Sequence, residues 1–208
     1  MPPLLDLCDA DIRSLGEGEL VLRDDMIDER TVRACCAQMR RMDADGQFSA
    51  AGVGASSKRS QTLRSDRTTW ADDGPEQPQA LHAFFGGVRQ ELNEAAWMGL
   101  AGFSVQLAIF DADGGGYVAH RDAIAGDPAR RATAILYLNP DWHPRDGGCL
   151  RIRPPSGSRD VAPIGGRLVL FRSDCLLHEV LPTTRPRMAA TAWFRGRASN
   201  PLRNAAQD

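Results

Sequence analysis

The sequence is poor in the residues on which several common chemistries depend. Its 208 residues hold one lysine, Lys58, and four histidines, His82, His120, His143 and His178. The lysine stands in "GVGASSK", which fits neither a Walker A loop nor a kinase glycine loop. "HRD" at residues 120–122 imitates a kinase catalytic loop, but the asparagine needed five residues after the aspartate is replaced by Asp127. There is also no DFG and no strand lysine of the VAIK type, so kinase chemistry is excluded. The five cysteines (Cys8, Cys35, Cys36, Cys149, Cys175) are odd in number and form no CxxC pair, which argues against a disulfide framework and a structural zinc site. No run approaches 18 apolar residues, so no membrane span is expected. The first basic residue is Arg13 and acids precede it, unlike a secretory signal, so a cytoplasmic location is expected. A net charge of -2 gives no global reason to expect nucleic acid as a partner.

What is present divides into two textures. Residues 28–41, "DERTVRACCAQMRR", have Asp28 as an N-cap and Val32, Cys35, Cys36 and Met39 at helical spacing. Residues 79–98 read as a second helix, weakened in its middle by Gly86 and Gly87. Between them, residues 43–66 are rich in Gly, Ser, Ala and charge and read as a long loop, uncommon enough in a compact domain to suggest use. After Gly102 short apolar runs recur between turn residues: "FSVQLAIF", "RATAILYLN", "GCLRIRP", "GRLVLF" and "MAATAWF". Two helices followed by such strands predict a mainly β domain, a sandwich or barrel with helices packed outside. The length suits one domain, 1–208.

His120 and Asp122 are separated by one residue, so in extended backbone both side chains leave on one face, with Arg121 only spacing them. A surface histidine near an acid is the plain alternative. One imidazole and one hard oxygen need a second histidine to make the facial triad that leaves three positions open on Fe(II). His178 is the natural third ligand, because it follows "GRLVLF" and a short turn and opens the last strand region. His143 sits in a turn-rich loop and His82 alone in a helix. Such a triad needs a co-substrate, commonly a 2-oxo acid with a remote carboxylate. Alternation puts Arg187, Ala189, Thr191 and Trp193 on one face. If that face is inward, Arg187 offers a planar fork for a carboxylate, with Tyr137 or Thr191 as a neutral donor. If it is outward, Arg187 is an edge residue in water.

The order and spacing of "GYVAHRD", "ILYLNPDWHPRDGGCLRI", "LVLFRSDCLLHEVLP" and "RPRMAATAWF" resemble the Fe(II)- and 2-oxoglutarate-dependent prolyl hydroxylases, of the hypoxia-sensing type and its bacterial relatives. Upstream, "RSDRTTW" (residues 64–70) is similar to the segment adjoining the family's mobile substrate loop. The resemblance covers residues 18–197. It implies a double-stranded β-helix (jelly-roll, cupin-like) core over 102–197. Residues 18–101 would be helical support and substrate loop, and 198–208 a tail. It implies His120, Asp122 and His178 as iron ligands and Arg187 as partner of the 2-oxoglutarate C5 carboxylate, assisted by Tyr137 and Thr191. Leu150, Ile135 and Trp193 would line the pocket, and Arg64, Asp66, Trp70 and Trp193 would meet substrate. Phe110 stands where the family often has tyrosine, so one hydroxyl near the co-substrate is lost. The implied cofactors are Fe(II), 2-oxoglutarate and O2, with ascorbate as a stimulant. The implied reaction hydroxylates a prolyl residue and releases succinate and CO2. The implied partner is a protein carrying the target proline, elongation factor Tu being the leading candidate, with no nucleic acid, no membrane and a monomeric state. A ribosomal protein, a free amino acid, or an inert β-helix binding module are the alternatives.

Overall fold

The computed structural model describes residues 5–53, 58–59, 64–71, 79–123 and 129–196. In chain order its elements are α1 (Asp9–Gly16), β1 (Leu20–Arg23), α2 (Glu29–Ala44), β2 (Ser49–Ala50), β3 (Gly52–Val53), β4 (Lys58–Arg59), β5 (Arg67–Trp70), α3 (Gln79–Ala95) and β6 (Leu100–Phe110). They continue with β7 (Tyr117–His120), β8 (Arg130–Tyr137), a 3-10 turn (Pro144–Asp146), β9 (Leu150–Arg153), β10 (Arg159–Val161), β11 (Leu168–Arg172), β12 (Leu177–Val180) and β13 (Arg187–Gly196). Seven strands form one sheet in the order β1-β11-β8-β13-β6-β5-β2, and four form a second in the order β10-β9-β12-β7. Strands β3 and β4 pair apart from both. The two sheets face each other as a double-stranded β-helix, with the helices on the outer face of the larger one.

The apolar runs after Gly102 are nearly continuous because both faces of the larger sheet are covered. On β13, Met188, Ala190, Ala192 and Phe194 belong to the core shared with α2 and α3. On β8, Ala132, Ala134 and Leu136 do the same. The intervening residues Ile135, Tyr137, Val169, Phe171 and Ala189 form a second core between the sheets with Leu150 and Ile152. Alternation therefore sorts each strand into a supporting set and an inward set.

Asp28 caps α2 as its position predicts, accepting from the Thr31 backbone N–H at 2.7 Å. The helix runs to Ala44, three residues beyond the predicted end, because Met42 continues the buried stripe of Val32, Cys35, Cys36 and Met39. Asp43 thus belongs to a helix rather than to the expected loop. Of that loop, β2 pairs with β5 and β3 with β4, while 54–57 and 60–63 lie outside the described residues, as does the tail 198–208. Helix α3 crosses Gly86 and Gly87 because Leu81, Phe84, Phe85, Val88 and Leu92 bury their side chains on one flank. It stops at Ala95, short of the predicted Met98, and Trp97 and Gly99 then take positive φ values of 53° and 61°. A Cβ at Gly86 would meet nothing within 4 Å. Gly86→Ala should therefore stabilise the protein by about 0.5–1 kcal/mol, read as a rise of about 1–4 °C in the thermal midpoint.

Sequence spacing missed α1 and β1. Helix α1 buries only Leu15 and so shows little periodicity. No helix among the described residues is long and apolar enough to cross a membrane.

Candidate active site

His120 is the last residue of β7, and Asp122 follows where the chain leaves the sheet. His178 lies in a separate four-residue strand, β12, which precedes the last strand, starting at Arg187. Strand β12 runs between β9 and β7, and its register sets His178 opposite His120. Two residues 58 apart in sequence therefore become cross-strand neighbours, with ring centroids 4.3 Å apart. The approach of β7 to β12 depends on Gly116, where a Cβ would stand 2.3 Å from the Val180 carbonyl oxygen.

Each ring is oriented from behind. His120 Nδ1–H donates to the Val118 carbonyl at 2.9 Å, and His178 Nδ1–H to the Leu176 carbonyl at 3.1 Å. A carbonyl can only accept, so Nδ1 carries the proton and Nε2 keeps its lone pair for the site. His120 Nε2 lies 3.8 Å from Asp122 Oδ1, and His178 Nε2 lies 3.9 Å from Asp122 Oδ2. One ligand atom from each residue falls within 4.8 Å of the others, close enough for one cation to touch all three. Burial, then the neighbouring His178, push His120 down to about 4, so its imidazole is neutral near pH 7. Asp122 Oδ2 is buried with no hydrogen-bond partner among the described residues. A buried carboxylate oxygen without a donor is costly unless a cation meets it. Two imidazoles whose Nε2 atoms face the site and one such carboxylate fit Fe(II) as a donor set, with room for further ligands.

The site opens into a cavity of about 520 Å³ whose walls include Gln106, Phe110, Ile135, Leu150, Arg187, Ala189, Thr191 and Trp193. The inward reading of β13 is thus the one realised. Arg187 is 2% exposed, and its Nε donates to the Gly148 carbonyl at 2.8 Å. No carboxylate among the described residues pairs with it. Burial lowers its pKa from the usual arginine value, partly offset by Tyr137 and Asp66. Its guanidinium is flanked by the rings of Tyr137 and Phe110, at 5.0 and 5.3 Å from their centroids. Gly148 (φ 64°) lets the side chain pass, since a Cβ there would stand 3.1 Å from Arg187 Cδ. The Tyr137 hydroxyl is fully buried beside Arg187 with no well-aligned hydrogen-bond partner among the described residues, and burial pushes its pKa up to about 12. A buried cation and a neutral O–H donor at one end of a cavity fit the remote carboxylate of 2-oxoglutarate. Thr191 also lines the wall, but its Cα is opposite Ile135 and Gln106, about 13 Å along β13 from that of Arg187.

Arg64 and Asp66 also line the cavity and pair with each other. Arg64 Nε and Nη2 donate to the two oxygens of Asp66 at 2.5 and 2.8 Å, and Nη2 also reaches Gln106 Oε1 at 3.1 Å. With side-chain exposures of 13% and 1%, this is a buried pair and not a solvated one. Trp70 is 39% exposed at the rim, its ring 5.6 Å from that of Trp193, whose buried Nε1 has no partner among the described residues. His82 is exposed on α3 against Phe103, and His143 precedes the 3-10 turn, so neither joins the site.

Sequence reasoning overlooked three wall residues. Tyr117 stacks on His120 at 3.7 Å with 21° between the rings, and Arg64 lies over the Tyr117 ring at 4.7 Å. Gln106 holds Arg64, and Arg130 covers Trp193 at 4.5 Å while donating to the Asp122 carbonyl at 3.1 Å. Gln106 was detectable, as the one long polar residue on the inward face of "FSVQLAIF".

Comparison with known proteins agrees with this chemistry. The model of the 2OG-Fe(II) oxygenase superfamily matches residues 105–195. A crystal structure of a Pseudomonas putida prolyl-4-hydroxylase is similar with a TM-score of 0.78 and 34% identity, over 91% of this chain and 98% of that one. A Trichoplax adhaerens prolyl hydroxylase, solved with a hypoxia inducible factor peptide, shares the fold with a TM-score of 0.80 at 23% identity, over 95% and 91% of the two chains. The Caenorhabditis elegans hypoxia-inducible factor prolyl hydroxylase is 31% identical over 88% of this chain and 27% of its own length. The chain spans about a quarter to a half of the length of the curated relatives it matches. Sharing a third of its residues with nearly the whole of a solved prolyl 4-hydroxylase, and carrying a donor set that fits iron, the chain belongs to the prolyl hydroxylase family of the 2OG-Fe(II) oxygenases.

Proposed function

We propose that the protein is a dioxygenase that hydroxylates a prolyl residue of a protein substrate, using Fe(II), 2-oxoglutarate and O2. The observation that carries this reading is one cavity holding both a buried carboxylate oxygen without a hydrogen-bond partner beside two imidazoles and a buried arginine without a carboxylate partner, among the described residues. Residues 102–197 form the catalytic core in this reading, and 18–101 supply support and substrate contacts. His120, Asp122 and His178 hold the metal. Arg187, with the Tyr137 hydroxyl, fixes the C5 carboxylate of 2-oxoglutarate. Ile135, Leu150 and Thr191 form walls that exclude water and keep the 2-oxo acid in one orientation. When bound, iron supplies dioxygen activation coupled to decarboxylation of 2-oxoglutarate: one oxygen atom ends in succinate, CO2 leaves, and the other replaces a prolyl hydrogen with hydroxyl. No side chain is needed as acid or base, so the chain contributes positioning and desolvation. Trp70 and Trp193, whose rings meet at the cavity wall with Arg130 over Trp193, offer aromatic surface to the proline ring.

An open rim with a half-exposed tryptophan suits an extended chain better than a free amino acid. Elongation factor Tu, a cytoplasmic translation factor, is the first target to test. Incubation of the protein with elongation factor Tu, Fe(II) and 2-oxoglutarate should add the mass of one oxygen to a proline-containing peptide, read by tandem mass spectrometry. A ribosomal protein modified in a parallel lysate reaction would replace that target. Oxygen found only in free amino acids would overturn the protein-substrate reading.

A further inference from the structure

Among the described residues, the cavity wall carries four guanidinium groups, Arg64, Arg121, Arg130 and Arg187, against two carboxylates, Asp66 and Asp122. Arg64 and Asp66 neutralise each other. A divalent metal on Asp122 and a doubly charged 2-oxo acid on Arg187 cancel in turn. The other two guanidinium groups on the cavity wall are Arg130 and Arg121. Arg130 is engaged with the Asp122 carbonyl and the Trp193 ring. Arg121 differs. It stands one residue past the end of β7, exposed, with only a long 3.4 Å contact from Nε to the Cys175 carbonyl and no carboxylate partner among the described residues. Asp174, beside Cys175 in the chain, is already paired with Arg172 at 2.8 Å. No carboxylate among the described residues takes up the charge of Arg121, and the exposed residue lines the cavity that a substrate must enter.

We propose that Arg121 determines specificity, selecting target segments that carry an acidic residue near the proline. This rests on the function proposed above. A guanidinium at the mouth of a low-dielectric cleft attracts an anionic segment, offers it a bidentate partner, and repels a cationic one. Sequence spacing makes Arg121 a spacer between two ligands; the structure gives its side chain the outer wall.

Fluorescent proline peptides with one Asp scanned from four residues before the proline to four after, and matched Asn and Lys sets, test this by anisotropy on the protein loaded with Mn(II) and 2-oxoglutarate. At low salt Asp should bind about three- to tenfold more tightly than Asn at one or two adjacent positions, with the gap shrinking as salt is added. Arg121→Gln should flatten the profile and Arg121→Glu should favour Lys, while succinate formation without peptide stays unchanged. Equal binding of Asp and Asn at every position, or a profile that survives Arg121→Gln, overturns the assignment. A charge preference with no oxygenated product would overturn the proposed reaction and leave Arg121 its role. Oxygenation indifferent to charge would do the reverse.

Discussion

His178→Ala should weaken metal binding on the order of 100-fold or more and reduce 2-oxoglutarate turnover to background, while the far-ultraviolet circular dichroism stays that of the parent. Even residues that only hydrogen-bond to a metal ligand are worth about 10- to 100-fold in affinity, and His178 supplies a ligand atom itself. The fold should survive because β12 is tied to β9 and β7 through backbone pairing, which the side chain does not enter. Asp122→Asn sharpens the test. The amide keeps the shape of the carboxylate but removes a buried charge whose Oδ2 has no donor. Metal affinity should fall as in His178→Ala, while the metal-free protein should melt no lower than the parent and up to a few degrees higher. Chelator competition reads the first quantity and calorimetry the second. Metal affinity within threefold of the parent in either variant would remove the assignment of this site.

Arg187→Met should cost at least 100-fold in 2-oxoglutarate affinity without altering metal affinity. Truncating one member of a buried charge pair typically costs about 2–5 kcal/mol, which corresponds to roughly 30- to several-thousand-fold. Here the ligand is the missing member. In its absence Arg187 is a buried cation whose Nε bond to Gly148 and two flanking rings are its compensation. Methionine, similar in length and apolar, should therefore leave the unliganded protein as stable as the parent or more so. Arg187→Lys keeps the charge but loses the fork, and should recover only part of the affinity. Isothermal titration of 2-oxoglutarate into Mn(II)-loaded protein separates these outcomes. Affinity in Arg187→Met within threefold of the parent would contradict the role proposed for this end of the cavity.

The two variants draw on parts of the site that differed in how far the sequence revealed them. The His120–Asp122 spacing has a direct geometric meaning, and alternation from Arg187 to Trp193 identifies an inward face once one member is known to be inward. His178 could be named but not placed, since "LHEV" is too short to show a period and its partner strand is 58 residues away. The burial of Arg64 and Asp66 was hidden for a related reason. Two residues apart, they look like any surface pair, and only β6 with Gln106 and β7 with Tyr117 close over them. Helix ends were missed where one more buried residue, such as Met42, extended a stripe beyond the obvious pattern. Sequence periodicity therefore reveals what repeats within an element, and tertiary closure decides what is brought to an element from elsewhere.

The interleaving on β13 has a consequence for how such a protein can change over time. Met188, Ala190, Ala192 and Phe194 answer to the helices, while Arg187, Ala189, Thr191 and Trp193 answer to the ligand. Neighbours in the gene thus face unrelated selection, and every second codon can drift toward a new substrate while those between hold the scaffold still. A lineage adapting this cavity would leave a two-residue rhythm of variable and invariant positions along the strand.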